Sequence, residues 1–230
     1  MTSTLIVGGT GSLGLEIARH RAGLGDHVVL TSRDADRAAK AALDVGGDTH
    51  GLALDLSDPH GIADALSGAD PVDHLVLTAA ATDTASTTLA TFDVDKATDS
   101  VTVKLIGYTE TIRVLCDRFT PSASVVVFGG LARNRPYPGS TMVSTFNAGV
   151  TGLVRTLALE LAPIRINALH PGVVADSRRW RDQRDHPAIA RTPLGRLVTT
   201  AEVVDATDFL LRNTGINAHD LFIDGGLLAT

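Results

Sequence analysis

Short apolar runs, most of them continuous rather than alternating, recur along this chain and are separated by segments of helical period. The runs are "TLIVG" (4–8), "HVVLTS" (27–32), "HGLALD" (50–55), "DHLVLTA" (73–79), "ASVVVFG" (123–129), "IRINALH" (164–170) and "HDLFIDG" (219–225). A strand that is apolar on both faces must be covered on both, as in a parallel sheet with helices on each side. The segments 13–24, 34–43, 59–66, 94–118, 142–161 and 201–212 carry apolar residues three and four apart and supply those helices. Their regular alternation predicts an α/β fold, a doubly wound parallel sheet in three α/β/α layers joined by right-handed crossovers. No internal repeat or low-complexity linker divides the 230 residues, so one domain over 1–230 is expected.

A net charge of −6 gives no electrostatic reason to expect nucleic acid or an anionic membrane as partner. No apolar run approaches the roughly 20 residues of a membrane span, and no signal peptide precedes the first strand, so a cytoplasmic location is expected. The single cysteine, Cys116, fits a reducing compartment and reads as buried filler in an apolar helix. The histidines show no metal-ligand spacing, and no metal is expected. The irregular stretch is 171–199, with "DSRRWRDQRDHP" inside it; a binding loop and a solvated charged helix both fit.

"LIVGGTGSLGLEIA" sets a glycine-rich turn between the first strand and the first helix. Gly9, Gly11 and Gly14 form G-x-G-x-x-G, and Gly8, Gly11 and Gly14 form G-x-x-G-x-x-G. Such glycines permit a tight turn and let backbone approach a pyrophosphate, which the first-turn N–H groups then face. This strand–turn–helix setting points to a Rossmann-type dinucleotide site. At the end of the second strand an NAD-selective site usually carries an acid for the adenosine ribose. Ser32 and Arg33 stand there instead, and a guanidinium suits a 2′-phosphate, so NADP(H) is the expected cofactor.

Over nearly its whole length the chain resembles the short-chain dehydrogenase/reductase family. "LDLSD" (54–58) is similar to the segment whose Asp, here Asp55, binds adenine, with Leu56 beside it. "LTAA" (77–80), with Ala79 and Ala80, stands where the family has Asn-Asn-Ala-Gly. "NALHPGVV" (167–174) resembles the turn at the nicotinamide, which implicates Pro171, Gly172 and Val173. "PLGRLVTTAEVVDATDFLL" and "FIDGG" resemble the family's C-terminal end. The resemblance also assigns Thr10, Ser12 and Leu13 to the phosphate turn. It further implies a homodimer or homotetramer, built through the helices at 94–118 and 142–161.

The same resemblance implies a catalytic Tyr, a Lys four residues later, a Ser thirteen residues before the Tyr, and a relay Asn. Here "STMVSTFNAGVTGL" (140–153) places Val143 at the Tyr and Asn147 at the Lys; Gly130 falls at the Ser and Lys104 at the Asn. A carbonyl reduction must protonate an alkoxide, and a positioned acid contributes about 10²–10⁴-fold. Valine has no proton to give, while Asn147 can still bind a ribose hydroxyl. Lys104 is the leading substitute donor and Tyr137, in the loop "LARNRPYPGST" (131–141), the second. An ordinary lysine titrates near 10.4, so a neutral-pH exchange would need burial or a nearby like charge. His170 precedes the Pro-Gly turn and reads as a satisfied strand-end residue or a site residue. Asp176 falls where the family has a carboxamide-binding Thr. Arg133, Arg135, Arg178 and Arg179 could hold an anionic substrate or be solvated. The expected function is an NADP(H)-dependent oxidoreductase acting on a small carbonyl-like molecule. The alternatives are a non-catalytic NADP(H)-binding protein and a lyase or isomerase that reuses the pocket.

Overall fold

In the computed structural model, which describes residues 1–80, 88–178, 180–183 and 185–230, the apolar runs become one parallel sheet. The strands are β1 (Ser3–Val7), β2 (His27–Ser32), β3 (Thr49–Ala53), β4 (Val72–Leu77), β5 (Phe119–Phe128), β6 (Arg165–Pro171) and β7 (Asp220–Ile223). Their order is β3-β2-β1-β4-β5-β6-β7. The chain builds outward from β1 to β3 and then returns to β4 on the other side of β1. A crevice must open where those directions diverge, at the C-terminal ends of β1 and β4.

The two-residue period of the strands sorts the core onto the two faces. Leu5, Val7, Leu75, Leu77, Val125 and Val127 point to one side, where Tyr108, Ile112, Val150, Val154 and Leu157 cover them. Their neighbours Ile6, Val76 and Val126 point to the other, under Ile17, Ala18, Ala38, Ala42, Val203 and Leu210. The first layer holds α3 (Ile62–Ala65), α4 (Val94–Val101), α5 (Tyr108–Leu115) and α6 (Thr141–Glu160). The second holds α1 (Ser12–Gly23), α2 (Ala35–Val45) and α7 (Thr200–Arg212). Starts are marked by side-chain caps: Asp34 accepts from Arg37 N–H in α2, and Thr199 with Glu202 forms a capping box in α7. Among the described residues no helix is long and apolar enough to cross a membrane.

Two expectations need correction, and one pair of open alternatives narrows. The segment 94–118 is not one uniform helix: a π-helical turn, Thr102–Gly107, lies between α4 and α5, and the end tightens to a 3-10 turn. Cys116 lies in that last turn and is exposed, because the buried stripe runs through Tyr108, Ile112 and Leu115 and leaves the next residue outside. No α-helix forms among the described residues of 171–199. Those described residues form turns, including a 3-10 turn at Ile189–Arg191, and a bridge joins Val174 to Val198.

Candidate active site

The crevice is a groove of about 320 Å³ at the ends of β1, β2 and β4. Gly8, Thr10, Gly11, Ser32, Arg33, Asp55, Leu56, Ala79 and Ala80 line it, so nine of the residues expected at the cofactor come together there. Gly8 has φ +84°, and a Cβ on it would lie 2.7 Å from the Ala79 nitrogen; a Cβ on Gly14 would lie 2.4 Å from the Gly8 carbonyl oxygen. The turn is thus closed on itself by backbone, and any side chain would fill the cradle. Gly11 N–H donates to Gly8 C=O at 3.1 Å, and Gly8 N–H donates to Thr31 Oγ1 at 3.2 Å. Helix α1 starts directly after Gly11, and its first-turn N–H groups have no carbonyl one turn back. A backbone cradle, a helix start and a flanking guanidinium fit the phosphates of a dinucleotide.

The structure adds a residue that motif reading missed. Arg37, one helical turn beyond Arg33, lines the same groove and donates to the Thr10 carbonyl at 3.3 Å. Its four-residue spacing from Arg33 was the available signal. Asp55 stands exposed at the rim, where its carboxylate accepts from Ser57 N–H and hydroxyl. On the other side of the turn a cleft of about 740 Å³ is lined by Thr10, Ser12, Asp176 and Arg178, with the start of α7. There the Asp176 carboxylate accepts from Thr200 N–H at 2.7 Å and its hydroxyl at 2.8 Å. Leu13 packs against the second-layer core. Pro171 ends β6, and Gly172 N–H donates to the Ile223 carbonyl at 2.8 Å; with Val173 they lie outside the groove lining.

Toward β5 and β6 the polar groups interlock. His170 is fully buried; its Nε2 faces Asp220 at 2.8 Å and its Nδ1 accepts the Gly130 N–H at 3.1 Å. Burial pulls its pKa down, against the opposing pull of Asp220. The ring is therefore neutral with its proton on Nε2. Asp220 also accepts from Arg133 and from Thr151, and these donors, with His170, hold its carboxyl below the usual range despite burial. Arg133 is thereby committed inside the protein, and Arg135 clips the C-terminus through Leu227 C=O and the Thr230 hydroxyl. Both guanidinium groups are thus engaged by partners within the protein. Arg178 remains at the cleft, and Arg179 lies outside the described residues.

The two glycines that end β5 make room for this cluster. A Cβ on Gly129 would meet the His170 ring at 2.3 Å, and one on Gly130 would meet Asn147 Nδ2 at 3.0 Å. Gly130 and Asn147, expected at the Ser and Lys positions, are thus brought together, with Asn147 buried and Val143 half-buried one turn before it on α6. A serine at 130 would press on the Asn147 amide.

Lys104 lies in the π turn and is 6% exposed. Its Nζ is 3.1 Å from Tyr108 Oη and 3.4 Å from the carbonyl oxygen of Ala79, a groove-lining residue. Tyr108 Oη donates to that same oxygen at 2.5 Å. Burial alone pulls Lys104 down to about 7 and pushes the Tyr108 hydroxyl well up. Lys104 also contributes to lowering the His170 pKa, which places its charge within electrostatic reach of the β6 end. Tyr108 was missed, although Lys-x-x-x-Tyr (104–108) was visible as a lysine and a tyrosine one turn apart. Tyr137, by contrast, is 52% exposed and absent from the groove lining.

Comparison with known proteins agrees with this geometry. Residues 8–228 match the family model described as enoyl-(acyl carrier protein) reductase. The 3-oxoacyl-[acyl-carrier-protein] reductase of Bos taurus is 27% identical, with 98% of this chain and 97% of the relative covered. The L-xylulose reductase of the same organism is 30% identical over 98% and 96%. A solved short-chain dehydrogenase/reductase family protein superposes with a TM-score of 0.89 at 29% identity, covering 100% of this chain and 98% of the other. The chain belongs to the short-chain dehydrogenase/reductase family, oxidoreductases whose reductases use nicotinamide cofactors.

Proposed function

We propose that this protein is an NADPH-dependent oxidoreductase that reduces a small carbonyl-like substrate, with Lys104 as proton donor in a rebuilt active site. Lys104 carries this reading: a buried ammonium, brought to about pH 7 by desolvation, sits beside Ala79 at the groove floor. An acid that titrates near the working pH is the most effective proton donor. Bound NADPH supplies the hydride. Arg33 and Arg37 bind the 2′-phosphate, the start of α1 faces the pyrophosphate, and Asp55 reaches the adenine. Asn147 binds a ribose hydroxyl near Pro171, Gly172 and Val173. The Lys104 Nζ proton passes to the developing alkoxide, whose charge the ammonium stabilises before transfer. Tyr108 positions the amine and satisfies Ala79 C=O, so the amine is not held by that carbonyl alone.

Steady-state reduction by Lys104→Met tests the reading. kcat is expected to fall by about 10²–10⁴-fold with NADPH affinity near that of wild type. Tyr137→Phe is the control and should turn over normally. Unchanged turnover in Lys104→Met would remove the donor assignment. Tight NADPH binding without hydride transfer to any ketone, aldehyde or imine would replace the reductase by a binding protein or a non-redox enzyme.

A further inference from the structure

The N-terminal edge of the sheet, opposite the groove, carries a cluster that plays no part in the reduction. Strand β3 is an edge strand, and its register on β2 pairs Val28 with Thr49 and Val29 with His50. Val28 N–H donates to the Asp48 carbonyl at 2.8 Å, which sets Asp48 beside His27. Gly46 and Gly47, with φ +75° and +62°, turn the chain from α2 into this position. The carboxylate of Asp48 then lies between two imidazoles: Oδ2 is 2.8 Å from His27 Nδ1, and Oδ1 is 2.9 Å from His50 Nε2.

We propose that His27, Asp48 and His50 form a divalent transition-metal site, of zinc-type chemistry, that ties edge strand β3 to β2. The three ligand atoms all lie within 4.8 Å of one another. Tetrahedral zinc with bonds of 2.0–2.2 Å places its ligands about 3.3 Å apart, so small side-chain rotations close the shell. Two imidazoles and one carboxylate select zinc and its neighbours, whereas magnesium and calcium require a shell of oxygens. On metal binding the ring protons move to the outer nitrogens, His27 Nε2 and His50 Nδ1. The carboxylate of Asp70, 4.0 Å from His27 Nε2, is beyond hydrogen-bond distance and contributes only its negative charge on that side of the ring. His50 faces solvent, so water completes the coordination. The ligands come from β2, from the bend just before β3 and from β3 itself, and meet only in the folded chain, so the metal binds the native state and stabilises it. Strand β2 is six residues long, which separates this site from the groove by about 16 Å.

The test uses the full chain, stripped with a chelator and titrated with Zn²⁺ and Co²⁺. One saturating equivalent is expected, with the visible absorption of four-coordinate cobalt and no response to Mg²⁺. At a hundredfold excess over Kd, Tm should rise by about 5–10 °C. His50→Gln and His27→Gln should each weaken Zn²⁺ affinity more than tenfold, while His60→Gln binds as wild type does. His50 is exposed, so its replacement leaves the fold intact. Absence of saturable Zn²⁺ binding at micromolar concentrations would overturn the assignment, as would unweakened binding by both His27→Gln and His50→Gln. These readouts do not depend on reductase activity, so either reading can fail without the other.

Discussion

A lysine held at about 7 inside the protein makes folding depend on pH, and Lys104→Met should expose that dependence. In the unfolded chain Lys104 has its ordinary pKa of 10.5, and in the native state about 7. Between those values the unfolded state holds more protons, so this group makes stability rise with pH across the window from about 7 to 10.5. Below the window both states are charged and the native state bears the whole desolvation penalty. At 1.36 kcal/mol per pH unit that penalty is about 5 kcal/mol near pH 6. It falls to about 2 kcal/mol at pH 9 and vanishes above about pH 11. Methionine fills a similar volume without charge. Tyr108 Oη keeps its hydrogen bond to Ala79 C=O, so what is lost in exchange is the amine's 3.1 Å hydrogen bond to Tyr108 Oη and its 3.4 Å contact with that carbonyl. Lys104→Met should therefore be more stable than wild type by several kcal/mol at pH 6, and the gain should shrink as pH rises. Urea unfolding of both proteins at pH 6, 7.5 and 9 measures this. Gained stability together with lost turnover would mark a residue kept for chemistry at the expense of folding. A variant that is less stable at pH 6, or whose difference from wild type does not vary with pH, would refute the buried-charge argument.

Arg33→Ala should weaken NADPH binding by about 1.5–3 kcal/mol, the worth of a charge-assisted hydrogen bond, with NADH binding unchanged. Equal wild-type affinity for the two cofactors, measured by titration, would remove Arg33 from that role. Far from the groove, Arg21 is buried between Asp26 at 2.6 Å and Asp208 at 2.7 Å. Arg21→Met leaves two carboxylates without their shared cation and should cost about 3–5 kcal/mol in urea unfolding. Leu159 on α6 is 81% exposed and Ile106 in the π turn is 51% exposed, apolar surface that a helix-mediated homodimer or homotetramer would cover. Light scattering should accordingly report a multiple of 24.0 kDa at micromolar concentration, and a monomer mass would refute that assembly.

The strand runs and their helical spacers were legible because burial on both faces leaves a local trace, a continuous apolar run of strand length. The glycine turn was legible for a related reason. A Cβ at Gly8 or Gly14 would strike backbone, so the requirement is written in the residue itself. Local pattern said much less about the polar groups. Lys104 and Tyr108 stand one turn apart in sequence, yet only packing under β4 buries them and brings the amine to about 7. Cys116 shared their apolar segment and still ended outside, because the helix tightens and turns before its face is covered. Arg133 and Arg135 were indistinguishable from free surface cations until β7 and the C-terminus came to meet them. His27 and Asp48 are separated by a whole β-α-β crossover, and no linear spacing joins them; strand register does. Sequence by itself determined which segments must be covered and where backbone must stay bare, since those are properties of single residues and short periods. Which charges are desolvated, paired or gathered around one point was decided by tertiary structure, because desolvation and Coulomb energy depend on neighbours that lie distant along the chain.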